Sequence, residues 1–67
     1  MSQWSIDVPS WPRLNHARQR EFLRLAGDAG GEWWGAGRIL LSAYPAAHRL
    51  SSFARIRGFH VRMLPLV

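Results

Sequence analysis

A chain of 67 residues with no cysteine has no covalent staple to fall back on. Domains of this size bury only about 60% of the surface that their unfolded chains expose, and most lean on disulfides, a metal or a partner. Without thiols, disulfides and thiolate metal sites are excluded, and nothing points to an oxidising compartment. Apolar packing must therefore do most of the work. The hydrophobic fraction of 48%, with four tryptophans, is too high for intrinsic disorder. No apolar run approaches the roughly 18 to 20 residues that span a bilayer. The opening stretch, with Asp7, Pro9 and Pro12, lacks the apolar core of a signal peptide. The expected location is cytoplasmic.

Charge is unevenly spread. All nine basic residues are arginines, and residues 1–32 balance four of them against Asp7, Glu21, Asp28 and Glu32. Residues 33–67 hold five arginines and no acid, so the net charge of +5 belongs to that half. Such asymmetry points to nucleic acid, an anionic partner or a membrane surface, or to carboxylates supplied from outside the chain.

The stretch 10–27 reads as a helix. Ser10 is placed as N-cap and Pro12 in the first turn. Trp11, Leu14, Arg18, Phe22 and Leu25 recur at helical spacing, and Gly27 is the expected stop. A turn follows at Gly27–Gly31. Arg38–Ala43 reads as a strand. The segment 45–58 is ambiguous, with Ser51 or Ser52 available to cap a short helix ending at Gly58. From Phe59 the pattern alternates, with Phe59, Val61 and Met63 on one side and His60 and Arg62 on the other. That is a half-buried strand stopped by Pro65. The expectation is an α+β fold in residues 1–67, a single small domain or fragment. One N-terminal amphipathic helix (1–27) is followed by a small irregular, basic β part (28–67) of two short strands and long loops.

Chemistry is sparse. His16, His48 and His60 lack ligand spacing, the serines sit in no nucleophile motif, and the four carboxylates are scattered. No enzyme, cofactor or metal is expected. Nucleic-acid binding has a better basis, because Phe53, Arg55, Arg57, Phe59 and Arg62 interleave stacking faces with cations. Arg57–Val61, R-G-F-H-V, resembles the start of the RNA-recognition-motif signature, without that signature's second aromatic, with the spacing to Val61 one short, and in a chain expected to be too small for that four-stranded domain.

A longer resemblance runs from Gly30 to Val61. Gly30, Gly31 and Trp33, then Arg38, then Ser42, Ala43 and Tyr44, then Gly58, Phe59 and Val61 fall in one gapless register. It is similar to the C-terminal signature of the formylglycine-generating-enzyme (sulfatase-modifying factor) family: R-G-G-S-W, an arginine, S-A-Y-R and G-F-R-V. Ala29, Glu32, Leu41, Pro45 and His60 depart from it, and the family's active cysteines have no counterpart. Formylglycine formation is therefore not implied. The resemblance covers about half the chain. It implies a loop-rich C-type-lectin-like setting in which Gly30, Gly31, Trp33, Arg38, Tyr44, Gly58 and Phe59 are structural. Trp33 and Phe59 would be buried there, and Arg38 hydrogen-bonded inside the protein.

Three readings follow. The chain is a non-catalytic binding or structural module resembling a truncated domain of that family. Alternatively it is a small basic adaptor, of phage type, that binds nucleic acid or an acidic protein. The last is a subunit that folds within a larger complex. Its expected partners are a protein or a second copy of itself, or nucleic acid. Arg49, Arg55, Arg57 and Arg62, exposed on one face, and Trp34 are the candidate contact residues, since tryptophan and arginine are favoured at interfaces.

Overall fold

Alternation in the first described residues sets the architecture. A computed structural model of the chain describes residues 3–66. Strand β1 (Trp4–Asp7) turns Ile6, and Val8 beyond it, toward one layer and Ser5 and Asp7 toward the other. A 3-10 turn at Trp11–Arg13 leads to helix α1 (His16–Asp28). Strands β2 (Glu32–Gly35) and β3 (Arg38–Leu41) form a hairpin. Helix α2 (Tyr44–Ile56) and strand β4 (Arg62–Pro65) complete the chain. The sheet order is β2-β3-β1-β4, with every neighbouring pair antiparallel. This βαββαβ order is the split-βαβ, or ferredoxin-like, arrangement.

One face of the sheet carries both helices. Ile6, Val8, Ile39 and Leu41 meet Phe22 and Ala26 of α1 and Ala47, Leu50 and Ala54 of α2, with Phe59 joining from the approach to β4. Phe22 and Phe59 pack edge to face at 5.5 Å, and Trp11 closes the other side of Phe22 at 5.8 Å.

The helices end alike. Gly30 (φ 77°) and Gly58 (φ 87°) take the left-handed conformation two residues past α1 and α2. Gly30 N donates to the Gly27 carbonyl and Gly31 N to that of Ala26, while Gly58 N and Phe59 N repeat the pattern on Arg55 and Ala54. Both are Schellman stops. Gly31 has a second reason to be glycine, because a Cβ there would run into the Ile39 side chain.

The expected layout of one N-terminal helix, two short strands and long loops is thus overturned. Among the described residues the strands number four and the helices two, and a strand precedes α1. β1 carries no local signal of its own, because its partners β3 and β4 lie more than 30 residues further along the chain. α1 starts at His16, capped by Asn15 Oδ1 accepting from Arg18 N at 2.9 Å, and not at Ser10. It runs past Gly27 to Asp28, because the left-handed stop is supplied by Gly30. α2 begins at Tyr44 with Pro45 in its first turn, and Ser51 is buried in mid-helix with no capping role. β3 ends at Leu41, short of Ala43, and β4 starts at Arg62, after Phe59 and Val61 have already turned inward.

Phe59 is buried, as expected. Trp33 is not: it lies on an edge strand, covered on its helix side by Trp11 at 5.2 Å, and stays 45% exposed. Tyr44 is 49% exposed, with its ring edge-on to Trp4 at 5.0 Å. No helix among the described residues is long and apolar enough to cross a membrane.

Candidate ligand-binding face of the sheet

Among the described residues, no element covers the sheet face opposite the helices. Register sets what stands there, because cross-strand partners share a face. Asp7 of β1 is flanked by Arg38 of β3 and Arg62 of β4, and Ser5 by Leu40 and Leu64. The row through Asp7 thus places one carboxylate between two guanidinium groups on adjacent strands.

Asp7 is almost fully buried, although no helix lies over it. Ser5 Oγ donates to its Oδ1 at 2.7 Å and Arg38 Nε donates to the same oxygen at 3.2 Å. Arg62 Nη2 sits 3.7 Å from Oδ2, an ion pair beyond hydrogen-bond length. Both arginines remain more than half exposed. Asp7 offsets one of their two charges and fixes where they stand. Arg38 spends only Nε on it, so its terminal nitrogens stay available to an incoming acceptor.

The hairpin adds an aromatic wall. Trp33 pairs with Ile39 and Gly35 with Arg38, so Trp34 is the extra residue of a β-bulge. Bulges bend a strand and re-aim a side chain. Ala36 (φ 55°) and Gly37 (φ 84°) form the two-residue turn, both with positive φ as a type I′ hairpin requires. Gly37 also lies against Trp11, where a Cβ would meet Trp11 Cβ at 2.7 Å. That contact and the bond from Val8 N to the Gly37 carbonyl lock the hairpin to the end of β1. Trp34 is 58% exposed, and its Nε1 donates to Glu32 Oε2 at 2.9 Å, which holds the indole over the open side.

Trp34, Arg38, Arg62 and Asp7 line one open cleft of about 590 Å³, together with Val8, Pro9, Pro12 and the hairpin turn. The charged groups that line it sum to +1, with the Glu32 carboxylate held on Trp34 beside them. A flat apolar wall beside two guanidinium forks suits a ligand with a planar ring and a singly charged oxyanion. No general-base pair stands here, since the Ser5 hydroxyl is engaged by Asp7 and no imidazole lines the cleft. Among the described residues, no three metal-ligating side chains come together.

The structure brings together Trp34 and Arg62 of the sequence candidates, and adds Arg38. It sends the others elsewhere. Arg49 and Arg55 are exposed on α2, behind the sheet. Arg57 follows α2 and binds Glu21 Oε2 at 3.1 Å. The single basic face expected for Arg49, Arg55, Arg57 and Arg62 is therefore divided between two sides. The R-G-F-H-V stretch leads into β4 and sinks Phe59 into the core, so that ring offers no stacking face. Arg38 was expected inside the protein and is hydrogen-bonded to Asp7, half-exposed at the cleft. Sequence reasoning missed Asp7. Its signal was the Ser5-Ile6-Asp7-Val8 alternation, which sets one buried acid on the polar side of a strand. No protein-family model, curated protein or solved structure matches the chain.

Proposed function

We propose that the chain is a non-catalytic binding module that takes single-stranded nucleic acid across the open sheet face, one base stacked on Trp34 and the neighbouring phosphodiester held by Arg38 and Arg62. The observation that supports this reading is the convergence of an exposed indole and two exposed guanidinium groups on a single cleft of net charge +1. A phosphodiester carries one negative charge, and every base has a face to stack. A four-stranded sheet backed by two helices is also a layout on which RNA-binding domains present stacking aromatics. This chain departs from those domains on its central strands, which show Ser5, Asp7, Arg38 and Leu40 on the open face. One tryptophan on an edge strand stacks one base, so little sequence preference is expected.

The test is fluorescence anisotropy with a fluorescein-labelled oligouridine of about ten nucleotides. One phosphodiester held by the two arginines gives a slope of log K against log salt near −0.7, the value of about −0.7 per neutralised phosphate of a single strand. Trp34→Ala removes about 1–3 kcal/mol of stacking, which is about 5- to 150-fold in affinity. Arg62→Ala weakens binding and flattens the salt slope. If Trp34→Ala binds as tightly as the parent chain, the reading is wrong, because the phosphate contacts would then be working without the site.

A further inference from the structure

The outer side of α2 is the other unexplained surface. Its inward positions, Ala47, Leu50, Ser51 and Ala54, are buried as a helix of this pattern requires. Its outward side is not the charged surface that solvent would favour. Ile56 is 77% exposed, Phe53 51% and Tyr44 49%. With Pro45, His48 and Arg49 they border an open, mainly apolar groove of about 470 Å³. From Tyr44 to Ile56 the helix rises about 18 Å at about 1.5 Å per residue, room for about three turns of a second helix.

The charges beside the groove select the occupant. Arg49 lines the groove and Arg55 lies exposed on the same helix, and neither has a carboxylate within 4.0 Å among the described residues. Among the described residues a second copy of the chain offers one unengaged carboxylate, Asp28, against the two arginines of each protomer. Asp7 is held by Ser5 and Arg38, Glu21 by Arg18 and Arg57, and Glu32 by Trp34, which leaves Asp28 alone among the four acids. A two-fold contact of this face with itself would also set arginine against arginine. The complement must come from a different chain, apolar along one stripe and acidic on its flanks.

We infer that α2 docks an acidic amphipathic helix of a partner protein, its apolar side chains seated in the groove on Phe53 and Ile56 with Tyr44 at the far margin, and its carboxylates on Arg49 and Arg55. The groove lies on the helix layer and the cleft on the opposite side of the sheet, so both can be filled together. The inference does not depend on what the cleft binds.

The probe is a displayed library of helical peptides with leucine fixed at i, i+4 and i+7 and with Glu, Lys, Gln and Ser randomised on the flanks. Binders to the whole chain are expected to be enriched in Glu at flank positions. They should lose at least tenfold in affinity on Ile56→Asp, which alters a side chain too exposed to matter to the core. Arg49→Glu should invert the preference toward Lys, a change that mere loss of folding cannot produce. Recovered peptides that are neutral or basic, or that bind the Ile56→Asp chain unchanged, overturn the inference. So does a library that yields no binder. Light scattering that shows a dimer dissociated by Ile56→Asp overturns it in favour of a second copy, and oligouridine binding lost with Ile56→Asp overturns it in favour of nucleic acid.

Discussion

Arg18 lies over Phe59, its guanidinium carbon 4.0 Å from the ring centroid, and so clamps α1 to the segment that follows α2. The same side chain donates to the Arg57 carbonyl at 2.7 Å and to Glu21 Oε1 at 2.6 Å. Glu21 in turn accepts from Arg57 at 3.1 Å. One arginine thus satisfies a carbonyl near a helix end, covers a core aromatic and joins a three-residue ion network.

Removing that clamp destabilises the chain. A partly exposed charged hydrogen bond, a cation–π contact and a weak ion pair together contribute about 1–3 kcal/mol. Arg18→Ala is expected to lower unfolding free energy in urea by that amount. Arg18→Lys should recover less than half, since a compact ammonium cannot serve Glu21, the carbonyl and the ring at once. A loss under about 0.5 kcal/mol for Arg18→Ala would show the contact to be ornamental.

Asp7 separates stability from binding. Asp7→Asn keeps an acceptor for Ser5 and Arg38 but removes the charge between Arg38 and Arg62. Loss of a charged partner from a mostly buried site is expected to cost about 1–3 kcal/mol of stability. The cleft meanwhile goes from +1 to +2. At about 7 Å and an effective dielectric of about 40–80, the lost repulsion strengthens oligouridine binding by about three- to eightfold. Denaturant unfolding and anisotropy on one sample check both directions. Weaker binding at a temperature where the variant is folded would mean that Asp7 serves the ligand, and would undo the charge argument.

The stripe from Arg18 to Leu25, the glycine stop at Gly58 and the inward turn of Phe59 and Met63 were legible in the sequence, because each rests on local spacing, whereas Trp11 and Leu14, expected on the same helix, lie ahead of it. The sheet was not. β1 is four residues long, and its Trp-Ser-Ile-Asp pattern acquires meaning only when β3 and β4 pair on both sides of it. The two halves of the fold also hide their likeness. Phe22 and Ala26 stand eight and four residues before the left-handed Gly30, as Leu50 and Ala54 stand before Gly58. Only the glycine and the alanine are kept, too little to register as a repeat. The candidate cleft was half legible. Trp34 and Arg62 were singled out as exposed aromatic and cation, but their meeting depends on a bulge at Trp34 and on a strand order that no local pattern encodes.

Three glycines should respond to alanine in three different ways. Gly37 combines φ of 84° with a Cβ that would meet Trp11 at 2.7 Å, and Gly37→Ala is expected to cost about 2–4 kcal/mol from left-handed strain and overpacking together. Gly35 has φ of 91° and nothing within 4 Å, so Gly35→Ala should cost only the strain, about 1–2 kcal/mol. Gly27 lies within α1 with nothing within 4 Å, and Gly27→Ala should stabilise by about 0.5–1 kcal/mol. Thermal melts of the three variants give the ranking directly. If Gly37→Ala and Gly35→Ala melt together, the hairpin is not seated on Trp11.

Trp33 and Trp34 are adjacent and serve opposite sides of the sheet, which predicts a double dissociation. Trp33 packs on Trp11 at 5.2 Å on the helix side, and Trp34 stands over the open cleft beside Glu32. Trp33→Ala should lower stability by about 1–2 kcal/mol, the value of a half-buried aromatic contact, and leave oligouridine affinity unchanged where the variant is folded. Trp34→Ala should change stability by less than about 0.5 kcal/mol, as an exposed substitution does, and weaken binding about 5- to 150-fold. Urea unfolding and anisotropy on both variants make the comparison. The reverse pattern would place the core on the Trp34 side of the sheet. Equal losses in both assays would mean that β2 moves as one unit and that the bulge does not divide its two tryptophans between core and ligand.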